Sequence, residues 1–264
     1  MSAVPETEGP VLLREDRDGL ATLTLNRPQQ MNLLTSEMLW ALQSAFDAIA
    51  GDKSIRVVVL TGTGRGFCAG HDLKEIKALG EQQKISALFD QCSRMMAAIP
   101  RLPQPVIAKV QGAAAAAGCQ LVAQCDLAVA VDTAKFVTSG VNLGFFCSTP
   151  GVAIGRNLQR KHAMEMLLTG EPISAQRAME WGLVNRIVPA AALDAATEEL
   201  ARKLAAKPPA TVAAGKRGFY QQMDLNLEQA YALADKVIAS DFAHPEGREG
   251  MNAFIEKRAP SWNK

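Results

Sequence analysis

The chain has 264 residues, 48% of them hydrophobic, which is enough to bury a large core in one domain or two. Its 28 basic and 27 acidic residues leave a formal charge of +1, which excludes a strong electrostatic preference for nucleic acid or a membrane surface. Five cysteines, an odd number in apolar contexts, favour a reducing compartment over a disulfide framework, and three scattered histidines match no metal-binding pattern, so we expect no metal.

The first ten residues are polar and acidic and lack the pattern of a secretory signal or a transit peptide. The apolar stretch at 106–131 is interrupted by polar residues such as Lys109, Gln120 and Asp126, so it does not read as a membrane span. These features predict a cytoplasmic protein without a membrane-spanning segment.

The N-terminal two-thirds of the chain alternates apolar runs with helical periodicity. The predicted elements are strands at 11–14, 20–25, 57–60, 105–110 and 127–131 and helices at 36–50, at 84–99 and from about 118. Thr35 or Ser36 can cap the first helix, and Gly51 can end it. Strands that recur between helices predict mixed α/β layers.

From about residue 153 onward the pattern is helical, with a break between two helices predicted at Lys207-Pro208-Pro209. We expect an α/β core over 1–203 and a helical region over 204–264. The apolar side chains of that region are too numerous for one short helical layer, which predicts an oligomer. They are Phe219, Tyr220, Leu225, Leu227, Tyr231, Leu233, Val237 and Phe242.

The most informative segment is a small-residue loop at 110–120, Val-Gln-Gly-Ala-Ala-Ala-Ala-Ala-Gly-Cys-Gln, between a predicted strand and a predicted helix. A small-residue loop that feeds a helix N-terminus leaves backbone N–H groups without partners. Such groups suit an anion, or an oxygen that becomes anionic during a reaction.

With this loop and the segment Phe-Cys-Ala-Gly-His-Asp-Leu-Lys at 67–74, the chain resembles the enoyl-CoA hydratase/isomerase (crotonase) superfamily over roughly 11–260. Asn-Arg-Pro at 26–28 and Arg-Glu-Gly-Met at 248–251 extend the resemblance. It implies a spiral of ββα turns followed by a helical region that packs subunits into trimers or dimers of trimers. It also implies an acyl-CoA thioester as substrate, with no cofactor other than the coenzyme A that the substrate carries.

The resemblance assigns an oxyanion hole to the backbone N–H groups of His71 and Ala117, which would stabilise a thioester enolate. It assigns substrate binding to Ala69, His71, Asp72, Leu73, Lys74 and Lys257. Ala117 stands where the family often has glycine, and alanine tolerates a positive φ less well. The imidazole of His71 can be functional, or it can merely pack while its backbone N–H works.

Hydratases of this family use two glutamates around a bound water, and those two positions match Gln120 and Gly140. Glutamine can hydrogen-bond a water but cannot exchange a proton at a useful pKa, and glycine can do neither. Ordinary water addition is therefore not expected, and whether the chain is an enzyme stays open.

Two alternatives remain. Ala-Gly-His-Asp at 69–72 and Val-Asn-Leu-Gly at 141–144 also resemble the methylmalonyl-CoA decarboxylase branch, in which loss of CO₂ generates the enolate without a base. That branch has a tyrosine near Cys147. The second alternative is a non-catalytic acyl-CoA-binding or regulatory protein.

Overall fold

A computed structural model of the chain describes residues 9–262. The strands are β1 (Leu12–Arg17), β2 (Leu20–Leu25), β3 (Val57–Gly62), β4 (Gly66–Cys68), β5 (Val106–Val110), β6 (Ala113–Ala115), β7 (Leu127–Val131), β8 (Lys135–Val137), β9 (Ile173–Ser174) and β10 (Arg186–Val188). The α-helices are α1 (Ser36–Ala50), α2 (Leu73–Leu79), α3 (Gln82–Arg101), α4 (Ala117–Gln124), α5 (Ser148–Asn157), α6 (Arg160–Thr169), α7 (Ala175–Glu180), α8 (Leu193–Ala205), α9 (Pro209–Gln222), α10 (Leu227–Ala243) and α11 (Pro245–Ile255).

Two sheets carry the strands, one of six strands in the order β1-β2-β3-β5-β7-β10 and one of four in the order β4-β6-β8-β9. The β1–β2 hairpin is antiparallel, and the rest of the large sheet is parallel. Each of β3, β5 and β7 is followed directly by a short strand of the small sheet, so each turn of the chain adds one strand to both sheets. This repeated step is the predicted α/β spiral.

Several bounds predicted from capping and breaking residues agree with the structure. Helix α1 begins at Ser36 because the Thr35 side chain accepts a hydrogen bond from the Met38 N–H at 3.2 Å, and Gly51 follows its last residue. Strand β7 has the predicted bounds, and the break before α9 falls at Lys207 and Pro208 as predicted.

Other expectations were wrong. The segment at 110–120, predicted as a loop, contains β6, which pairs with β4 and β8 in parallel. The last third is not purely helical, because β9 and β10 complete the two sheets. Nothing in the fold tests the division into 1–203 and 204–264, whose outermost residues lie outside the described range, and it stays a prediction.

The C-terminal helices expose much of their apolar surface. Helix α10 has no buried residue, and its exposed large side chains are Leu227, Tyr231, Ile238 and Phe242. Tyr220 does not belong to this apolar surface as predicted, because its hydroxyl donates to Asp126 at 2.8 Å. The Asp126 carboxylate also accepts from Lys216 Nζ at 2.6 Å and from the Val106 N–H at 2.7 Å, which joins α9 to the large sheet.

Candidate functional site

A cavity of about 470 Å³ lies between the ends of β4 and β6, the start of α4 and the segment before α5. Apolar side chains form most of its wall, and no Asp, Glu, Lys or Arg of the described residues lines it. The lining residues are Ala69, His71, Leu73, Ile76, Phe89, Ala116, Ala117, Ser139, Gly140, Leu143, Phe145, Phe146, Cys147, Ser148, Thr149 and Pro150. The wall therefore favours an uncharged, largely apolar ligand group.

One side of the cavity is the loop that follows β4. Gly70 has a φ of +90°, and its carbonyl accepts a hydrogen bond from the Leu34 N–H at 2.8 Å. A positive φ of this kind is accessible to glycine at little cost, and it turns the chain so that His71 comes next on the cavity wall.

The junction of β6 and α4 lies next to this loop. The Ala116 N–H still belongs to the small sheet and donates to the Val137 carbonyl at 2.8 Å, whereas the Ala116 carbonyl already accepts from the Gln120 N–H at 3.0 Å. Between these two bonds the chain reverses at Ala116, with φ 48° and ψ −117°. The strained alanine is thus Ala116 rather than Ala117, which corrects the expectation from sequence.

The two loops touch through backbone atoms. A Cβ added at Gly70 would lie 3.0 Å from the Ala115 carbonyl oxygen and 3.1 Å from the Ala117 nitrogen. The Ala117 N–H is the first of helix α4 and has no partner among the described residues, and the N–H of His71 likewise donates to none of them. Two free donors therefore stand on one cavity wall.

The His71 side chain is mostly buried between Leu34 and Phe89. Its Nδ1 lies 3.2 Å from the Leu34 carbonyl oxygen, and its ring meets Phe89 edge-on with centroids 4.9 Å apart. Its Nε2 is buried and has no partner among the described residues. Burial lowers the pKa of His71 from its usual value, so the ring is neutral at neutral pH.

The space beside Gly140, the position matched to the family's second glutamate, is occupied by neighbouring atoms. A Cβ at Gly140 would lie 2.8 Å from both Cys147 Sγ and the Phe145 carbonyl oxygen. The Gly140 N–H donates to Cys147 Sγ at 3.3 Å, and burial raises the pKa of this thiol. Cys147 thus occupies the space in which a longer side chain at 140 would begin.

Gln120 is 4% exposed, lies one turn into α4, and is not among the residues that line the cavity. Its Oε1 is buried without a hydrogen-bond partner in the described part of the chain. The role of Gln120 at the family's first glutamate position therefore stays a prediction.

The remaining predicted site residues divide into two groups. Ala69 and Leu73 line the cavity, as do His71 and Ala117. Asp72, Lys74 and Lys257 do not: the Asp72 carboxylate caps α2 by accepting from the Lys74 N–H at 2.8 Å, and both lysines are exposed.

Sequence reasoning missed most of the apolar wall. Phe145, Phe146 and Pro150 come from a segment without periodicity that lies next to Gly140 only after folding. Phe89 lies in the helix predicted at 84–99. The apolar periodicity that predicts a helix does not distinguish a cavity wall from a core.

The comparisons with known proteins agree with this fold. The sequence model described as enoyl-CoA hydratase/isomerase matches residues 15–264. The chain belongs to the enoyl-CoA hydratase/isomerase family.

Among solved structures, an enoyl-CoA hydratase from Mycobacterium smegmatis is 52% identical with a TM-score of 0.95, over 97% of this chain and 100% of that chain. Human enoyl Coenzyme A hydratase domain-containing protein 3 is 43% identical with a TM-score of 0.93, over 96% and 100%. The protein of that name from Xenopus laevis is 44% identical over 96% of this chain and 86% of that protein. The crotonase fold predicted from the loops is thus confirmed.

The prediction of a cytoplasmic protein is wrong, because the similar domain-containing proteins 3 from Xenopus, rat, mouse and human are all named as mitochondrial. That prediction depended on the first ten residues, most of which lie outside the described range. A targeting signal is read by a receptor and is not part of the folded core, so the composition of the core does not contain it.

Among residues 9–262, no helix combines the length and the apolar character that crossing a bilayer requires.

Proposed function

We propose that this protein binds an acyl-CoA thioester with its carbonyl oxygen between the N–H groups of His71 and Ala117, and that it stabilises an enolate without adding water. The observation that carries the proposal is the meeting of two loops that bring two unpaired backbone donors to one cavity wall. Donors aimed at a developing oxyanion stabilise it strongly, because they are fixed before the reaction begins.

The wall supports an uncharged acyl group as the reacting part of the substrate. A cavity of about 470 Å³ falls in the usual size range of ligand pockets. An acyl chain would lie against Leu143, Phe145 and Phe146, whereas a carboxylate in the ground state would find no cationic partner in the wall.

Decarboxylation of a carboxyacyl-CoA is the second candidate, and the absence of Asp, Glu, Lys and Arg from the described wall favours it. Breaking the bond between the α-carbon and the carboxylate leaves its electron pair on the α-carbon, so the enolate forms without a base. An apolar wall also fails to stabilise the carboxylate before the bond breaks. Retained binding without turnover would instead indicate the binding or regulatory alternative.

The experiment is a panel of acyl-CoA esters incubated with the purified protein. The panel contains crotonyl-CoA, saturated acyl-CoAs of increasing length, malonyl-CoA and methylmalonyl-CoA. Chromatography follows substrate loss, an enzymatic assay follows CO₂ release, and calorimetry follows binding. Failure of every ester to bind would contradict the proposal, and hydration of crotonyl-CoA at the rate of a two-glutamate hydratase would contradict its chemistry.

We also propose that the protein is a trimer or a dimer of trimers and that Lys257 reaches the coenzyme A of a neighbouring subunit. The absence of a buried residue in α10 supports an association surface, as do exposed Phe254 and Ile255 on α11. Light scattering that reports a stable monomer at micromolar concentration would contradict this assembly.

A further inference from the structure

One residue of the neighbouring segment, Leu34, contacts the loop that carries the His71 N–H at two points. The Leu34 N–H donates to the Gly70 carbonyl at 2.8 Å, and the Leu34 carbonyl lies 3.2 Å from Nδ1 of His71. Leu34 is fully buried, so water does not compete for these bonds. The Gly70 carbonyl, which precedes the His71 N–H, and the His71 imidazole, which follows it, are therefore both held by Leu34.

The contacts define one protonation state of the imidazole. A carbonyl oxygen only accepts hydrogen bonds, so Nδ1 carries the proton and Nε2 is bare. Nε2 is buried and has no donor partner among the described residues, and the Phe89 ring closes off one edge of the imidazole. Within residues 9–262, the carboxylate of Glu75 is the charged group that raises the pKa of the ring, against the larger lowering by burial. Nε2 is enclosed, and no group of the described residues lies within hydrogen-bond distance to exchange a proton with it.

We infer that His71 is a positioning residue: its Nδ1–H bond to the Leu34 carbonyl fixes the direction in which its own backbone N–H points into the cavity. This inference rests on the proposed oxyanion hole. It gives the side chain of His71 a role in thioester recognition that is separate from proton transfer and different from simple packing.

Two substitutions separate the hydrogen bond from packing. His71→Asn keeps an amide N–H close to the place of Nδ1, because the asparagine amide nitrogen and Nδ1 are the same number of bonds from Cα. His71→Leu removes the donor and keeps an apolar side chain beside Phe89. Ala117→Pro, which deletes the second donor, tests the oxyanion hole itself.

The readout is the carbonyl stretching frequency of bound crotonyl-CoA labelled with ¹³C at the thioester carbonyl, measured by infrared difference spectroscopy. It does not depend on turnover. Hydrogen bonds to the carbonyl oxygen lower this frequency, so the wild type is expected to lower it strongly. His71→Leu should lose much of the shift, whereas His71→Asn should keep most of it.

The possible outcomes are distinguishable. If Ala117→Pro loses the shift while His71→Leu keeps all of it, the positioning role is overturned and the oxyanion hole stands. If folded Ala117→Pro also keeps the full shift, the proposed function fails and the inference fails with it. Should His71→Leu not fold, ¹⁵N NMR of the wild-type ring decides: a proton on Nδ1 supports the inference, and one on Nε2 overturns it.

Discussion

The proposed site combines two kinds of position that differ in which atoms would do the work. At His71 and Ala117 the proposed working groups are backbone N–H donors, which most side-chain substitutions leave in place. At Gln120 and Gly140, the positions matched to the family's two glutamates, neither residue has a carboxylate. A function carried by the backbone survives most side-chain changes, whereas proton transfer ends when its side chain is replaced.

The largest effect should come from removing a backbone donor. Ala117→Pro deletes the N–H, and turnover of whichever ester the panel identifies should fall by on the order of 100- to 1,000-fold. Ala117→Gly is the matched control and should retain turnover, since it keeps the donor. Circular dichroism and thermal melting must show that the proline variant is folded, and full activity in that folded variant would place the site elsewhere.

Breaking the buried ion pair between Lys216 and Asp126 should lower stability without removing either backbone donor. Lys216→Met leaves the Asp126 carboxylate buried without its cation, and the free energy of unfolding should fall by about 3 kcal/mol. Denaturant titration measures this loss, and the carbonyl shift of bound crotonyl-CoA at low temperature should stay at the wild-type value.

The control for this variant is Lys84→Met. Lys84 forms an ion pair with Glu81 whose side chains are 57% and 67% exposed, so its removal should change stability little. Equal losses of stability in the two variants would show that the contact with Asp126 is not the reason.

Introducing carboxylates at 120 and 140 tests the match of these two positions to the family's glutamates. The wild type should hydrate crotonyl-CoA negligibly. Gln120→Glu with Gly140→Glu should not help, because the new side chain at 140 meets Cys147 Sγ and the Phe145 carbonyl. Adding Cys147→Ala removes the first contact, and Phe145 lies in an exposed segment that can shift. Hydration by the triple variant should then rise on the order of 100-fold above the wild type.

The informative comparison is between the double and the triple variant, measured by loss of the enoyl absorbance. Equal hydration in both would mean that Cys147 does not block position 140. No gain in a folded triple variant would mean that the positions matched to the two glutamates are wrong.

The smallest effect concerns the turn between β6 and α4. Ala116 adopts a positive φ that glycine reaches at lower cost, so relief of this strain by Ala116→Gly should raise the free energy of unfolding by about 1 kcal/mol. The net gain is smaller, because glycine also has more conformational freedom in the unfolded chain. Binding of crotonyl-CoA should not change, because the Ala117 N–H remains. A clear loss of stability would show that the turn is not strained in the alanine protein.

How far the sequence predicts this molecule depends on the range of the interactions. Helix α1 has its predicted bounds because Thr35 and Gly51 act within one turn of its ends. Strand β6 was missed because three alanines carry little strand preference, and their pairing with β4 and β8 depends on residues far away in the chain. The positive φ at Ala116 was placed one residue too late for the same reason, since the bond to the Val137 carbonyl fixes it.

The candidate site divides in the same way. Family motifs predicted His71, Ala117 and Gly140, and all three line the cavity. They could not show that Cys147 packs against Gly140, because that contact depends on the path of an irregular segment. Nor could they show which way the Gln120 amide points, because a motif fixes a position on a helix and leaves the side-chain rotamer open.

The contact between Gly140 and Cys147 also constrains how this chain could change over generations. A glutamate at 140 is excluded while the thiol is there, so the two positions are not independent, and the order of substitutions matters. A smaller residue at 147 has to arise first, at a step where it gives no new activity. A glutamate at 140 is therefore closed to selection acting on one substitution at a time.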